Sequence, residues 1–152
     1  MAHFLVPMGT KEKSIPEAEG AFDPTKLEFA SDRKPKIGEG HMLILFARGS
    51  QKLISNLSAV SNPQHDPDNK EYPWFVRTRD WAPEYSKKWW SFDNNLETLA
   101  AAYLALDPAN TLGAVKKLNL ETFATAINGK SNLEISTNFA YFLINRMKPG
   151  AK

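Results

Sequence analysis

Residues 42–47 read Met42-Leu43-Ile44-Leu45-Phe46-Ala47, six consecutive apolar side chains. A continuous apolar run of this length, with no alternation, predicts a strand buried on both faces. Gly49-Ser50 can turn the chain directly after it, and Lys52-Leu53-Ile54-Ser55-Asn56-Leu57-Ser58-Ala59-Val60 alternates imperfectly. The pair reads as a hairpin at the centre of a sheet. Downstream, residues 62–69 are dense in Asn, Asp and Pro, which favour turns. Residues 72–79 alternate again, with Trp74, Val76 and Thr78 on one side and Phe75, Arg77 and Arg79 on the other. This predicts a third strand with one face wetter than the other. Upstream, His3-Phe4-Leu5-Val6-Pro7-Met8 reads as a short first strand, its end placed at a sheet edge by Pro7. Between them, residues 9–40 carry Gly9, Pro16, Gly20, Pro24, Pro35, Gly38 and Gly40, the composition of a long loop with a helical turn near residues 16–19.

The second half has a helical period. Leu96, Leu99, Ala100, Tyr103 and Leu104 recur at i, i+3, i+4, i+7 and i+8. Asn94 followed by Glu97 fits a capping box, and Asp107-Pro108 stops the helix. Asn119 can cap a second helix striped by Leu120, Phe123, Ala124 and Ile127 and ended by Asn128-Gly129. Residues 112–118 fit helix or strand. The tail opens with a strand-like Leu133-Glu134-Ile135 and continues as a helix capped by Ser136 or Thr137. Strands gathered in the first half with helices after them predict an α+β fold.

The chain has 152 residues, 42% apolar and 24% charged, with no cysteine. A chain of this size buries roughly 70% of the surface its unfolded form exposes, enough for one domain without staples. Residues 1–152 are therefore expected to form a single domain. Without cysteine there is no disulfide framework, thiolate zinc site, iron–sulfur cluster or cysteine nucleophile. No apolar run approaches the roughly 20 residues of a membrane span. No basic region precedes an apolar stretch at the N-terminus, so a cytoplasmic protein without a membrane partner is expected. The net charge of +2 does not by itself mark a nucleic-acid binder, although a local basic patch can act as one.

Catalytic motifs are scarce. The histidines, His3, His41 and His65, have no close ligand spacing between them. His65-Asp66-Pro67-Asp68 groups oxygen and nitrogen ligands but suits a solvated turn better. There is no nucleophile elbow, phosphate loop or dinucleotide fingerprint. No catalytic residue, metal or cofactor is assigned.

One segment stands out. All four tryptophans, Trp74, Trp81, Trp89 and Trp90, fall within residues 74–90, beside Tyr72, Phe75, Tyr85 and Phe92. Arg77, Arg79, Lys87 and Lys88 lie among them, against Asp80 and Glu84. Aromatic faces interleaved with cations are what base stacking plus phosphate contact requires. They also suit a methylated ammonium, and a plain hydrophobic core accounts for any one of them. Trp89 and Trp90 diverge whether the stretch is helical or extended, so at least one is expected to line a cleft or cover a loop. Arg48, directly after the buried strand, is a further basic candidate.

The order of these elements resembles the PUA-like superfamily, and within it the EVE-type domains. The resemblance rests on the first strand, on Lys36-Ile37-Gly38-Glu39-Gly40-His41 leading into the apolar run, on the returning strand that ends in Val60, and on Tyr72-Pro73-Trp74-Phe75-Val76. It spans about residues 3–79, with weaker support from 118–135. Phe46-Ala47-Arg48 stands where those domains carry Tyr-His-Ser, and Pro7-Met8 where they often carry polar residues. The resemblance implies a mixed β pseudo-barrel flanked by helices, whose pocket accepts a nucleobase, plain or modified, flipped from DNA or RNA. The expectation is a non-enzymatic module with a base pocket of Trp74, Trp81, Trp89, Trp90, Phe46 and Met8. Arg48, Arg77, Arg79 and Lys88 would meet phosphate. Two alternatives stay open: a small ASCH-like hydrolase of modified nucleosides, drawing on Lys52, Thr78 and Glu84, and a protein-interaction module using an exposed tryptophan patch.

Overall fold

A computed structural model of the chain describes residues 2–8, 24–29, 33–114, 118–129 and 132–148. Its strands are β1 (His3–Met8), β2 (Lys26–Phe29), β3 (Met42–Ala47), β4 (Leu53–Ala59), β5 (Gln64–His65), β6 (Trp74–Asp80) and β7 (Leu133–Ile135). The helices are α1 (Pro83–Ser86), α2 (Leu96–Leu106), α3 (Leu120–Gly129) and α4 (Thr137–Asn145), with a 3₁₀ turn at Trp89–Ser91.

The apolar run behaves as its composition dictates. β3 pairs with β4 on one side and β1 on the other, and Leu43, Ile44, Leu45, Phe46 and Ala47 are all buried. The sheet runs β2-β6-β4-β3-β1-β7, with β5 added against β6. β1 and β3 are parallel and the other pairs antiparallel, so the sheet is mixed. It curls into a half-barrel, and the helices lie mainly in the C-terminal half of an α+β fold. A register shift between Leu45 and Phe46 bends the β3–β4 pair, the usual effect of an extra residue in one strand. No described helix is long and apolar enough to cross a membrane.

Helix ends follow their capping residues. Asn119 Oδ1 accepts from Thr122 N at 2.8 Å, and Ser136 Oγ accepts from Phe139 N at 3.2 Å. The cap of α2 is Asn95, one residue after the expected Asn94: its Oδ1 accepts from Thr98 N at 3.1 Å. Asn94 is recruited elsewhere, its Nδ2 donating to Tyr85 Oη at 2.9 Å and its carbonyl accepting from Leu53 N. Tertiary contacts outbid a local box there.

Three segments differ from expectation. The stretch 9–40 contains β2, held by antiparallel pairing to β6. Residues 9–23 and 30–32, with the helical turn expected near 16–19, lie outside the described residues. The turn-rich stretch 62–69 contributes the two-residue β5. Within 112–118, Gly113 bridges to Ile135, and 115–117 are not described.

Candidate ligand-binding cleft

The site begins where β6 leaves the sheet. Asp80 ends the strand, and its carboxylate accepts hydrogen bonds from Ser55 Oγ at 2.5 Å, Ser86 Oγ at 2.7 Å and Ala82 N at 2.9 Å. The first bond ties the turn to β4, the second to α1, and the third closes the turn itself. Trp81 is thereby held at a defined place. Its main-chain N–H donates to Asn56 O at 2.9 Å, its Nε1 donates to Ser58 Oγ at 2.8 Å, and the Arg79 guanidinium lies 4.0 Å from its ring centroid. The indole nonetheless stays 50% exposed. A large apolar ring kept at the surface by this many contacts is positioned rather than left over.

Strand register explains what faces it. His3 pairs with Met42, Met42 with Ser58, and Ser58 with Arg79, so these four form one row across β1, β3, β4 and β6. Directly opposed residues share a face, and α4 lies over this one. Its capping residue Ser136 anchors the helix start by donating to Thr111 O at 2.6 Å. Phe139, Ala140 and Leu143 form the buried side of α4, and from this helix the Tyr141 ring meets the His3 imidazole edge-on, with ring centroids 5.6 Å apart.

Between α4 and the sheet lies a cleft of about 270 Å³ lined by Met42, Asn56, Trp81, Ala82, Tyr141, Ile144, Met147 and Lys148. Tyr141, 53% exposed, and Trp81 stand as its aromatic members, and the exposed Lys148 supplies a cation. Asn56, 6% exposed, is a polar lining residue, and its Oδ1 is buried without a hydrogen-bond partner among the described residues. His3, 3% exposed and in ring contact with Tyr141, has neither ring nitrogen partnered among the described residues. Burial pushes its pKa below the ordinary 6.5, because a desolvated imidazolium without an acceptor is disfavoured.

Of the ten side chains singled out from sequence, two belong to this cleft: Trp81 lines it and Arg79 stacks on Trp81. The four indoles do not wall one slot. Trp74 and Trp81 differ by an odd number of positions along an extended strand, which puts them on opposite faces. Trp74 packs instead against His65 of β5, with ring centroids 4.8 Å apart. Trp89 is completely buried and is a core residue. Trp90 meets it edge-on at 5.9 Å and is half-buried against the core, its carbonyl accepting from Lys52 Nζ at 3.0 Å. Phe46 is also core, opposite Leu53. Met8 lies at the far end of β1, opposite Ala47, where its carbonyl accepts from Arg48 N at 2.9 Å. Met8, Arg48 and, through Lys52, Trp90 thus gather around the β3–β4 hairpin tip, away from Trp81. Arg77 rides over Phe75 at 5.1 Å and Lys88 lies 5.9 Å from the Phe92 centroid.

The side chains considered for hydrolysis are engaged separately. Lys52 holds Trp90, Thr78 Oγ1 donates to Pro24 O at 2.8 Å, and Glu84 pairs with Lys87 at 3.2 Å. Around His65, Asp66 Oδ1 accepts from Asp68 N at 3.0 Å, closing the expected turn. Among the described residues no three His, Asp or Glu side chains cluster closely enough to hold a metal ion.

Sequence reasoning passed over Asn56 and Tyr141. The signal for Asn56 was present: Ser55-Asn56 is a polar pair inside an otherwise apolar buried strand, and buried polar atoms need partners. Tyr141 sits in the aromatic tail, and nothing local says that α4 folds back over the row from His3 to Arg79. No protein-family model matches this sequence, and neither a curated protein nor a solved structure shows significant similarity to it.

Proposed function

We propose that this chain is a PUA-like, EVE-type module that binds nucleic acid by holding a nucleobase, plain or modified, against Trp81 in the cleft beneath α4. The observation that carries this reading is the half-exposed Trp81 indole, fixed by Ser58 and Arg79 on the border of that cleft. Stacking of one base on an aromatic ring contributes about 1–3 kcal/mol and tolerates every base. Arg79 and Arg77 follow one another on the same face of β6 and are exposed, and Lys148 lies at the cleft. This is a short cationic path for phosphates beside the stacking wall. The volume, just under the range of drug-sized pockets, suits one flat heterocycle. Recognition by shape, stacking and a hydrogen bond requires no cofactor and breaks no bond.

Titration of tryptophan emission with short single-stranded DNA and RNA at low salt tests the reading, with Trp81→Phe as the comparison. Oligonucleotides should quench the wild-type protein and leave Trp81→Phe nearly unchanged. No quenching by plain or modified oligonucleotides would end the proposal. The joint exposure of Trp81 and Tyr141 favours one second reading, a cleft that receives an apolar side chain of a partner protein. Self-association or partner binding in sedimentation, indifferent to nucleic acid and lost in Tyr141→Ser, would select it.

A further inference from the structure

Resting on that reading, we propose that the Asn56 side-chain amide selects the base through its nitrogen: Nδ2 donates a hydrogen bond to the ligand, so the cleft prefers bases that present a ring carbonyl to bases that present an exocyclic amine. Asn56 and Ser58 stand two positions apart on β4 and therefore share a face of that strand. On this face Ser58 Oγ accepts from the Trp81 indole, and Asn56 lines the cleft together with Trp81. Nearly all of Asn56 is buried, and its Oδ1 is enclosed, out of reach of a ligand. The end of the amide that keeps accessible surface is Nδ2, and it has no acceptor among the described residues. A donor in so dry a place is costly to leave unpaired, and a ligand that brings an acceptor satisfies it.

The rest of the lining has the same chemical sign. Lys148 carries an ammonium, which only donates, and the Tyr141 hydroxyl serves either role. Among the described residues no carboxylate lines the cleft. The acceptors close to Trp81 are already used: Asp80 takes hydrogen bonds from Ser55, Ser86 and the Ala82 main chain, and Asn56 O takes Trp81 N. A ring carbonyl brought to Nδ2 supplies the missing lone pairs, whereas an exocyclic amine in the same place sets donor against donor. A site built to bond one polar group rejects the analogue that cannot make the bond, because binding then leaves a buried group unpaired. Uracil and hypoxanthine are the bases favoured on this account. Cytosine and adenine are their counterparts, with the carbonyl replaced by an amine and the proton on the adjacent ring nitrogen lost.

The test uses the full chain and oligonucleotides in which a single base is flanked by abasic residues, so that only one base can stack on Trp81. Tryptophan quenching gives the affinity for uracil against cytosine and for hypoxanthine against adenine. The carbonyl base should bind about tenfold more tightly in each pair. Asn56→Leu, of similar volume but without a donor, should bring each pair to within about threefold by weakening the carbonyl base. Should that variant fail to fold, Asn56→Ala carries the same comparison. Equal binding within the pairs, a preference for the amino base, or a preference that survives in Asn56→Leu overturns the proposal and leaves the base-binding reading intact. Absence of quenching by all four oligonucleotides removes that reading, and this proposal with it.

Discussion

The guanidinium of Arg79 lies 4.0 Å from the ring centroid of Trp81, two residues further along the same face of the chain. Such a pair is worth about 0.5–1 kcal/mol at an exposed position, so it orients the indole more than it stabilises the fold. Arg79→Ala should cost less than about 1 kcal/mol in urea unfolding and should increase acrylamide quenching of tryptophan emission. Unchanged quenching would mean that Ser58 alone sets the ring.

Asp80 has a different weight. Its carboxylate holds Ser55, Ser86 and the Ala82 main chain, and Ser55 is fully buried. Asp80→Ala strands these donors and should cost about 3 kcal/mol. Chemical denaturation gives the figure, and a loss below about 1 kcal/mol would show that water replaces the carboxylate.

Trp89 and Trp81 should separate stability from binding. Trp89→Ala opens a cavity in the core and should cost about 3–5 kcal/mol, with oligonucleotide affinity of the folded protein preserved. Trp81→Ala should do the reverse, with little change in melting and loss of quenching. A binding defect in folded Trp89→Phe would contradict this division.

His3 makes stability depend on pH. Its folded pKa is depressed below 6.5 by burial, so the unfolded chain takes up the proton first. The stabilising contribution is complete above pH 6.5 and is lost as pH falls from there through the depressed folded value. Thermal melting at about pH 7.5 and 5.0 should show wild type losing more stability on acidification than His3→Phe. Parallel curves for the two proteins would refute the assignment.

If phosphates follow the β6 face, salt will report it. Arg77→Gln and Arg79→Gln should each lower the magnitude of the log–log salt slope of oligonucleotide binding by about 1, with Lys88→Gln leaving it unchanged. Equal effects at all three positions would place the phosphates elsewhere.

Much of the scaffold was legible in local patterns. Six apolar residues in a row made β3 a buried central strand, the alternation of 74–79 gave β6 its two faces, and Asn119 and Ser136 announced their helices. These are short-range properties, decided by side-chain period and by a capping oxygen within three residues. β2 was missed because four residues flanked by Pro and Gly become a strand only when β6 offers an edge. Asn95 displaced Asn94 as a cap because Asn94 had distant partners in Tyr85 and Arg146.

The cleft required the folded chain. Clustering within residues 74–90 drew the eye to Trp81, which lines the cleft, and to Arg79, which stacks on it, yet sequence proximity says nothing about which rings share a cavity. Extended geometry sends Trp74 and Trp81 to opposite faces, and core packing consumes Trp89. The residues that complete the site come from far away: Asn56 from the neighbouring strand and Tyr141 from the last helix. Period and composition could establish the kind of elements, because those depend on neighbours along the chain. Which side chains meet across the cleft depends on strand register and on where α4 docks, interactions between segments some 25 to 85 positions apart that no local pattern encodes.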